Sequence, residues 1–183
     1  GTWSPNVYVP LGLAYVATAL EEANYDVQIL DLNVRKVKRA EFEEKIGNAD
    51  IIGITGIITE HHEIVKLAQA IRKINHVAKI VLGGALATSL PERILQVSQA
   101  DAVIIGEGER TIVELVSAIE RNEKLGNIRG IAYRENGNVF ITEPVVHIDD
   151  IDTISFPARH LLEMELYPTN QFETFGLKLK RKI

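Results

Sequence analysis

Short apolar runs alternate with longer amphipathic stretches from the start of the chain to about residue 119, and few folds accommodate that pattern. The runs are rich in β-branched residues, whereas the stretches between them carry apolar residues at helical spacing. Strands are predicted at Val27–Leu32, Asp50–Thr55, Lys79–Leu82 and Asp101–Ile105. Helices are predicted at Leu13–Ala23, Arg39–Ile46, Glu60–Ile74, Pro91–Val97 and Glu109–Ile119. Alternation of this kind is typical of an α/β domain in which helices cover both faces of a parallel sheet.

The pattern changes after the last of these helices, where Arg129–Arg134 and Val139–Glu143 flank an Asn136-Gly137 pair. Asn-Gly between two strand-like runs favours a β-hairpin, because both central residues of a type I′ turn need a positive φ. The segment that follows contains prolines and an acidic cluster, and only Arg159–Glu165 is predicted to be helical. We therefore divide the chain into an α/β domain (1–125), a hairpin (126–146) and a linker (147–183).

Charge and composition exclude several kinds of partner. With 20 basic against 25 acidic side chains the net charge is −5, which argues against a nucleic-acid partner. No apolar run approaches the roughly 18 to 20 residues that cross a bilayer, so we expect a cytoplasmic protein without a membrane partner. The absence of cysteine excludes thiolate metal sites and cysteine-ligated iron–sulfur clusters from this stretch. Because the chain begins with Gly1 and ends in the basic, apolar tail Lys178–Ile183, we expect a piece of a longer protein.

Small residues follow three of the predicted strands. Thr55-Gly56-Ile57, Gly83-Gly84-Ala85 and Gly106-Glu107-Gly108 each come directly after an apolar run. In an open parallel sheet, ligands bind beyond the carboxyl ends of the strands. A single glycine there is most simply a tight turn, but three successive loops of this kind would let the backbone approach a bulky ligand closely. We therefore place the candidate binding site at this edge.

Other chemistries fit the sequence poorly. The Gly106-x-Gly108 pair lacks the third glycine of a dinucleotide fingerprint, since Thr111 stands there, and no P-loop is present. Adjacent His61 and His62 would point about 100° apart on a helix, so they do not readily share a metal ion. A zincin motif starting at His62 is broken because Lys66 replaces its second histidine. We predict neither a metal site nor a catalytic triad in this chain.

Taken together, the residues resemble a cobalamin (B12)-binding domain, which has a flavodoxin- or Rossmann-like fold. The matching segments are Gly12, Tyr25–Val27, Leu30–Leu32, Ala49–Thr59 and Ile80–Ala85. In that family, the serine of a Ser-x-Leu motif binds the benzimidazole of the nucleotide tail, and a Gly-Gly pair makes room for the tail. The resemblance implies that Thr55-Gly56-Ile57 and Gly83-Gly84 hold these positions here.

The family's Asp-x-His-x-x-Gly motif, which supplies a histidine ligand to cobalt, falls on Val7-Tyr8-Val9-Pro10-Leu11-Gly12. Only Gly12 agrees with the motif. The resemblance therefore implies cobalamin bound without a histidine lower ligand.

A narrower resemblance, to the N-terminal region of B12-dependent radical SAM enzymes such as the anaerobic magnesium-protoporphyrin monomethyl ester cyclase-like proteins, rests on five segments. These are Pro10–Tyr15, Gly106–Glu109, Gly130–Arg134, Phe156–Arg159 and Tyr167. In that family a barrel with a [4Fe–4S] cluster and S-adenosylmethionine follows on the same polypeptide. The resemblance implies a cobalamin module that is inactive alone and belongs to an enzyme of methyl transfer or oxidative cyclisation.

The implied roles divide the predicted site. Thr55 would anchor the tail, the Gly83-Gly84 pair would make room for it, Gly106–Gly108 would approach the corrin edge, and Pro10–Gly12 would line the face without a histidine. The cofactor-binding residues implied are Pro10, Leu11, Gly12, Thr55, Gly56, Ile57, Gly83, Gly84, Ala85, Gly106, Glu107 and Gly108. Two alternatives stay open: a domain of this fold that has lost cobalamin and serves as a scaffold or partner surface, and a free-standing nucleotide-binding domain.

Overall fold

The computed structural model describes residues 8–145 and 154–167. Its helices are α1 (Leu11–Glu22), α2 (Arg39–Gly47), α3 (His61–Ile74), α4 (Gly84–Ser89), α5 (Pro91–Val97) and α6 (Glu109–Glu120). Its strands are β1 (Ile51–Thr55), β2 (Lys79–Gly83), β3 (Ala102–Ile104), β4 (Ile131–Glu135) and β5 (Asn138–Ile141). None of the described helices is long and apolar enough to cross a membrane.

The strands form one five-stranded sheet in the order β1-β2-β3-β4-β5. The first three are parallel, and their register sets Thr55 opposite Gly83. β4 runs antiparallel to β3, and β5 runs antiparallel to β4. The hairpin therefore extends the main sheet, and the carboxyl ends of β1, β2 and β3 open on the same edge.

Side chains alternate between two cores along β2. Ile80 and Leu82 point into a cluster with α3, α4 and α5, whereas Val81 points into a cluster with α6. Val16 and Leu20 of α1 pack against the second cluster. Fully burying an aliphatic side chain of this size contributes roughly 1.5–3 kcal/mol. Helices thus cover both faces of the sheet, as the sequence predicts.

The amino edge of the sheet is closed by side chains that bind backbone groups. Arg72 donates to the Ala78 carbonyl (2.7 Å) and to Oδ2 of Asp101 (2.6 Å), and the same Asp101 oxygen accepts the N–H of Ile80 (2.9 Å). Nδ2 of Asn75 donates to the carbonyls of Ile46 and Ala49 at 2.9 Å each. These contacts fix the start of β2 on the side of the sheet away from the candidate site.

The five predicted helices are found with their ends shifted by at most two residues, and the strand predictions that end at Thr55, Leu82 and Ile105 are confirmed as β1, β2 and β3. The hairpin is confirmed as well, since Asn136 and Gly137 have φ values of 51° and 80°.

Two predictions are wrong. Val27–Leu32 forms no strand in the described structure, because the described sheet ends at β1 and no strand pairs with this segment; its Ile29 packs against a third cluster, with Leu162 and Tyr167. Arg159–Glu165 is not one helix but two separate 3-10 turns, Arg159–Leu161 and Met164–Leu166. The short helix α4 was not predicted. The acidic cluster at 149–152 and the tail 178–183 lie outside the described residues.

The described part of the predicted linker, residues 154–167, lies against α1, and we call it the strap. The N–H of Ala158 donates to the carbonyl of Ala14 (3.1 Å), and the Thr18 hydroxyl donates to the carbonyl of Phe156 (2.9 Å). At its far end the Tyr167 hydroxyl donates to Asp31 (2.8 Å). The strap therefore packs on the α/β unit, while the three domain boundaries stay predictions.

Candidate functional site

The loops after β1 and β2 meet at Thr55 and Gly84. Gly84 has a φ of +82°, and a Cβ atom placed on it would lie 2.5 Å from Oγ1 of Thr55 and 3.2 Å from the carbonyl oxygen of Gly56. Both the left-handed backbone and the close approach therefore require glycine at position 84. Because Thr55 stands opposite Gly83 in the register, the structure brings the predicted threonine and Gly-Gly pair together.

The loop after β1 is held by Glu60. Oε2 of Glu60 accepts the N–H of Ile57 at 3.0 Å, and a Cβ on Gly56 would lie only 2.9 Å from the same oxygen and would also collide with Ile64. Ile57 and Ile58 are 56% and 54% exposed, so two apolar side chains stand on the surface beside Thr55. The sequence does not single out Glu60 or Ile58, because Ile57, three residues before Glu60, has no polar side chain that could complete a capping box.

The loop after β3 turns outward at Gly106, whose φ is +83°. The Gly106 N–H donates to the hydroxyl of Thr88 at 3.0 Å, and Thr88 lies on α4, directly after the Gly-Gly pair. Gly108 precedes the first turn of α6, and a Cβ there would lie 3.3 Å from Cγ2 of Val16. The predicted loop 106–108 is thus tied to α4 on one side and packed on α1 on the other. Of the other predicted residues, Ala85 lies exposed on α4 and Glu107 lies exposed on the loop 106–108.

The remaining predicted residues, Pro10, Leu11 and Gly12, form the start of α1. The carbonyl of Pro10 accepts the N–H of Ala14 (3.1 Å), which begins the helix, and Leu11 and Gly12 are exposed. α1 packs against α6, the helix that directly follows the loop 106–108. The start of α1 is therefore connected to the predicted site through this pair of helices. Within residues 8–145 and 154–167, no group of three or more His, Asp or Glu side chains is placed to hold a metal ion.

The fold is an α/β domain in which small residues cluster at the carboxyl ends of three parallel strands. The family model of the B12 binding domain matches residues 3–116. The chain belongs to the B12-binding domain family.

Curated relatives match far beyond those residues. The chain is 35% identical over 170 residues to an uncharacterized methyltransferase of Pyrococcus horikoshii, a match that covers 91% of this chain and 36% of that protein. It is 30% identical over 148 residues to the anaerobic magnesium-protoporphyrin IX monomethyl ester cyclase of Synechocystis sp., covering 78% of this chain and 30% of the cyclase. The chain therefore spans about a third of the length of these relatives.

Solved structures share the fold. The radical S-adenosylmethionine methyltransferase TsrM from Kitasatospora setae, determined with cobalamin and a [4Fe-4S] cluster bound, superposes with a TM-score of 0.69 at 21% identity over 83% of this chain and 30% of TsrM. The cobalamin-dependent S-adenosylmethionine radical enzyme OxsB, with aqua-cobalamin and S-adenosylmethionine bound, superposes with a TM-score of 0.62 at 20% identity. That match covers 79% of this chain and 21% of OxsB. The predicted Rossmann-like class and the resemblance to this family are confirmed.

Proposed function

We propose that this chain binds cobalamin at the carboxyl edge of β1, β2 and β3, without a histidine ligand to cobalt, and presents it to a radical SAM barrel of the same polypeptide. The family match and the cobalamin bound in two structural neighbours, TsrM and OxsB, support the choice of ligand. The barrel, with its [4Fe–4S] cluster and S-adenosylmethionine, is proposed from the longer relatives.

The contact between Thr55 and Gly84 is the observation that carries this proposal. The absent side chain at Gly84 leaves the Thr55 hydroxyl accessible at the end of β1, beside the exposed Ile57. A hydroxyl can donate to a heterocyclic nitrogen, and two consecutive small residues at Gly83 and Gly84 allow a flat group to lie against the backbone. These residues therefore fit the nucleotide tail of cobalamin, which the Thr55 hydroxyl would hold.

The residues at the start of α1 support the absence of a histidine ligand. Val9 occupies the position of the histidine in the family motif, and it packs against Ala14, Leu162 and Tyr167 in the cluster under the strap. A valine offers no electron pair to a metal. The apolar contact of Val9 with the strap supports a site without the family's histidine ligand.

Bound cobalamin would supply a methyl group or take part in an electron or radical step, and the protein's share is to bind and orient it. Thr55 would hold the tail by a hydrogen bond, and the Gly83-Gly84 backbone would line its channel. Gly106–Gly108 would meet the edge of the corrin. The exposed side chains of Ile57 and Leu11 would exclude water from the faces they cover.

The experiment is a titration of the 183-residue chain with hydroxocobalamin, comparing wild type with Thr55→Val and Thr55→Ser. Loss of one hydrogen bond to the ligand predicts a dissociation constant about five- to tenfold higher for Thr55→Val. Thr55→Ser should bind within about twofold of wild type, because it retains the hydroxyl.

Thr59→Val is the matched control, since Thr59 is an exposed threonine on the same loop but not at the strand end. It should leave the affinity unchanged. Equal affinity of wild type and Thr55→Val would place the tail elsewhere. No binding by wild type would favour the scaffold alternative.

A further inference from the structure

Helix α4 follows β2 directly and is hydrogen-bonded to the loops after β1 and β3. It begins at Gly84, directly after β2, and the N–H of its Leu86 donates to the carbonyl of Gly56 in the loop after β1 (3.3 Å). Two residues further on, the hydroxyl of Thr88 accepts the N–H of Gly106 in the loop after β3 (3.0 Å). α4 thus contacts the loop after β1 through a backbone hydrogen bond and the loop after β3 through the side chain of Thr88.

The core fixes α4 itself. Leu86 and Ala87 are each 1% exposed and pack against the sheet, so the helix has little freedom to shift. Thr88, in contrast, is exposed on its outer side. The backbone at Thr88 is therefore held by the core beneath it, although the residue itself contributes little to that core.

Gly106 depends on that hydroxyl. Its φ of +83° turns the chain out of β3, and its N–H points to Thr88 and not along the sheet. The preceding residue, Ile105, still bonds across the sheet, donating to the carbonyl of Gly130 (2.8 Å). The hydrogen bond to Thr88 is therefore the first one that the backbone N–H groups make after the chain leaves the sheet.

We propose that Thr88 is a positioning residue for the cofactor, which sets the distance between the corrin-edge loop 106–108 and the tail channel at Thr55 and Gly84. The inference rests on the proposed function, since it assumes that both loops contact one ligand. Without the acceptor, Gly106 would be free to take other orientations, and the two halves of the site would no longer be held at one spacing. Thr88 would not need to touch the cofactor.

The test compares Thr88→Val, which removes the acceptor at nearly constant volume, with Thr88→Ser, which keeps it. Thr142→Val is the matched control, because the Thr142 hydroxyl also accepts a backbone N–H, that of Ile131, at 3.1 Å, but does so in the hairpin. Two quantities are measured on the 183-residue chain: the hydrogen-exchange rate of the Gly106 amide without ligand, and the dissociation constant for hydroxocobalamin.

In Thr88→Val the Gly106 amide should exchange at least tenfold faster and the dissociation constant should rise about fivefold. Thr88→Ser should restore both values. Thr142→Val should lower the melting temperature at least as much as Thr88→Val does, because the Thr142 hydroxyl also donates to the carbonyl of Ile131 (3.1 Å). It should nevertheless bind cobalamin within twofold of wild type.

Wild-type affinity in Thr88→Val, equal weakening by Thr142→Val, or failure of Thr88→Ser to rescue would each overturn the positioning role. Absence of cobalamin binding in wild type would overturn it together with the proposed function. In the first three cases the wild-type titration still succeeds, so the two failures are distinguishable.

Discussion

A Cβ atom on Gly84 would lie 2.5 Å from Oγ1 of Thr55, closer than two such atoms can approach. The contact joins the loop after β1 to the loop after β2 at the level where the register pairs Thr55 with Gly83. A substitution at either residue therefore acts on the other, and this coupling is measurable without any ligand.

Gly84→Ala should destabilise the fold more than Gly137→Ala does. Gly84 and Gly137 have nearly equal φ values, 82° and 80°, so alanine suffers a similar backbone strain of about 1 kcal/mol at both positions. Only at Gly84 does the new methyl group collide, whereas nothing lies within 4 Å of a Cβ on Gly137. We expect roughly 1–2 kcal/mol of additional destabilisation for Gly84→Ala in urea denaturation.

Thr55→Ala should relieve most of that addition, because it removes the colliding oxygen. The double-mutant cycle of Thr55→Ala and Gly84→Ala should thus give a coupling of about 1 kcal/mol. Additive effects, or equal losses for Gly84→Ala and Gly137→Ala, would show that the two side-chain positions do not meet.

The strap should loosen at alkaline pH through Tyr167. Burial and the hydrogen bond to Asp31 raise the pKa of the Tyr167 phenol above its ordinary value of 10.0. A raised pKa in the folded state means that the stabilisation is complete below the pKa of the unfolded chain and is lost as the pH rises above it. The free energy of unfolding of wild type should exceed that of Tyr167→Phe by about 1 kcal/mol at pH 8, and this difference should shrink above pH 10. Urea denaturation of both proteins at pH 8 and above pH 10 checks this. A difference that does not change with pH would contradict the hydrogen bond between Tyr167 and Asp31.

Asn75→Ala should cost stability without affecting the ligand. The Asn75 amide donates to the carbonyls of Ile46 and Ala49, and its Oδ1 accepts the N–H of Ala78 at 2.8 Å. Losing these partners predicts about 2 kcal/mol of destabilisation, against at most about 0.5 kcal/mol for Asn33→Ala at an exposed turn position. Because Asn75 serves the amino edge of the sheet, the cobalamin affinity should stay unchanged. A large loss of affinity in Asn75→Ala would mean that the two edges are coupled.

The sequence predicts the repeated elements well, because their signals are local. The apolar positions of α3 recur with helical period, and the Asn136-Gly137 pair needs no tertiary information to form its turn. For the same reason the small residues at Thr55, Gly84 and Gly106 could be assigned to one edge of the sheet.

The predictions are wrong where the local structure depends on contacts with segments distant in the sequence. Val27–Leu32 has the composition of a strand, but its partly buried Ile29 packs against Leu162 and Tyr167, more than 130 positions later in the sequence. Helix α4 begins with a glycine and has only six residues, too few for a helix to be stable alone, and it is stabilised by the burial of Leu86 and Ala87. The acceptor role of Thr88 follows from that helix and was therefore not predictable.

The most direct test is the electron paramagnetic resonance spectrum of cob(II)alamin bound to this chain, recorded after gel filtration. The proposed function predicts that the corrin elutes with the protein and that the cobalt lines show no splitting by an axial nitrogen, because the tail lies in the channel at Thr55 and Gly84 and Val9 replaces the ligand histidine. Failure of the corrin to elute with the protein, or lines split by an axial nitrogen, would contradict it.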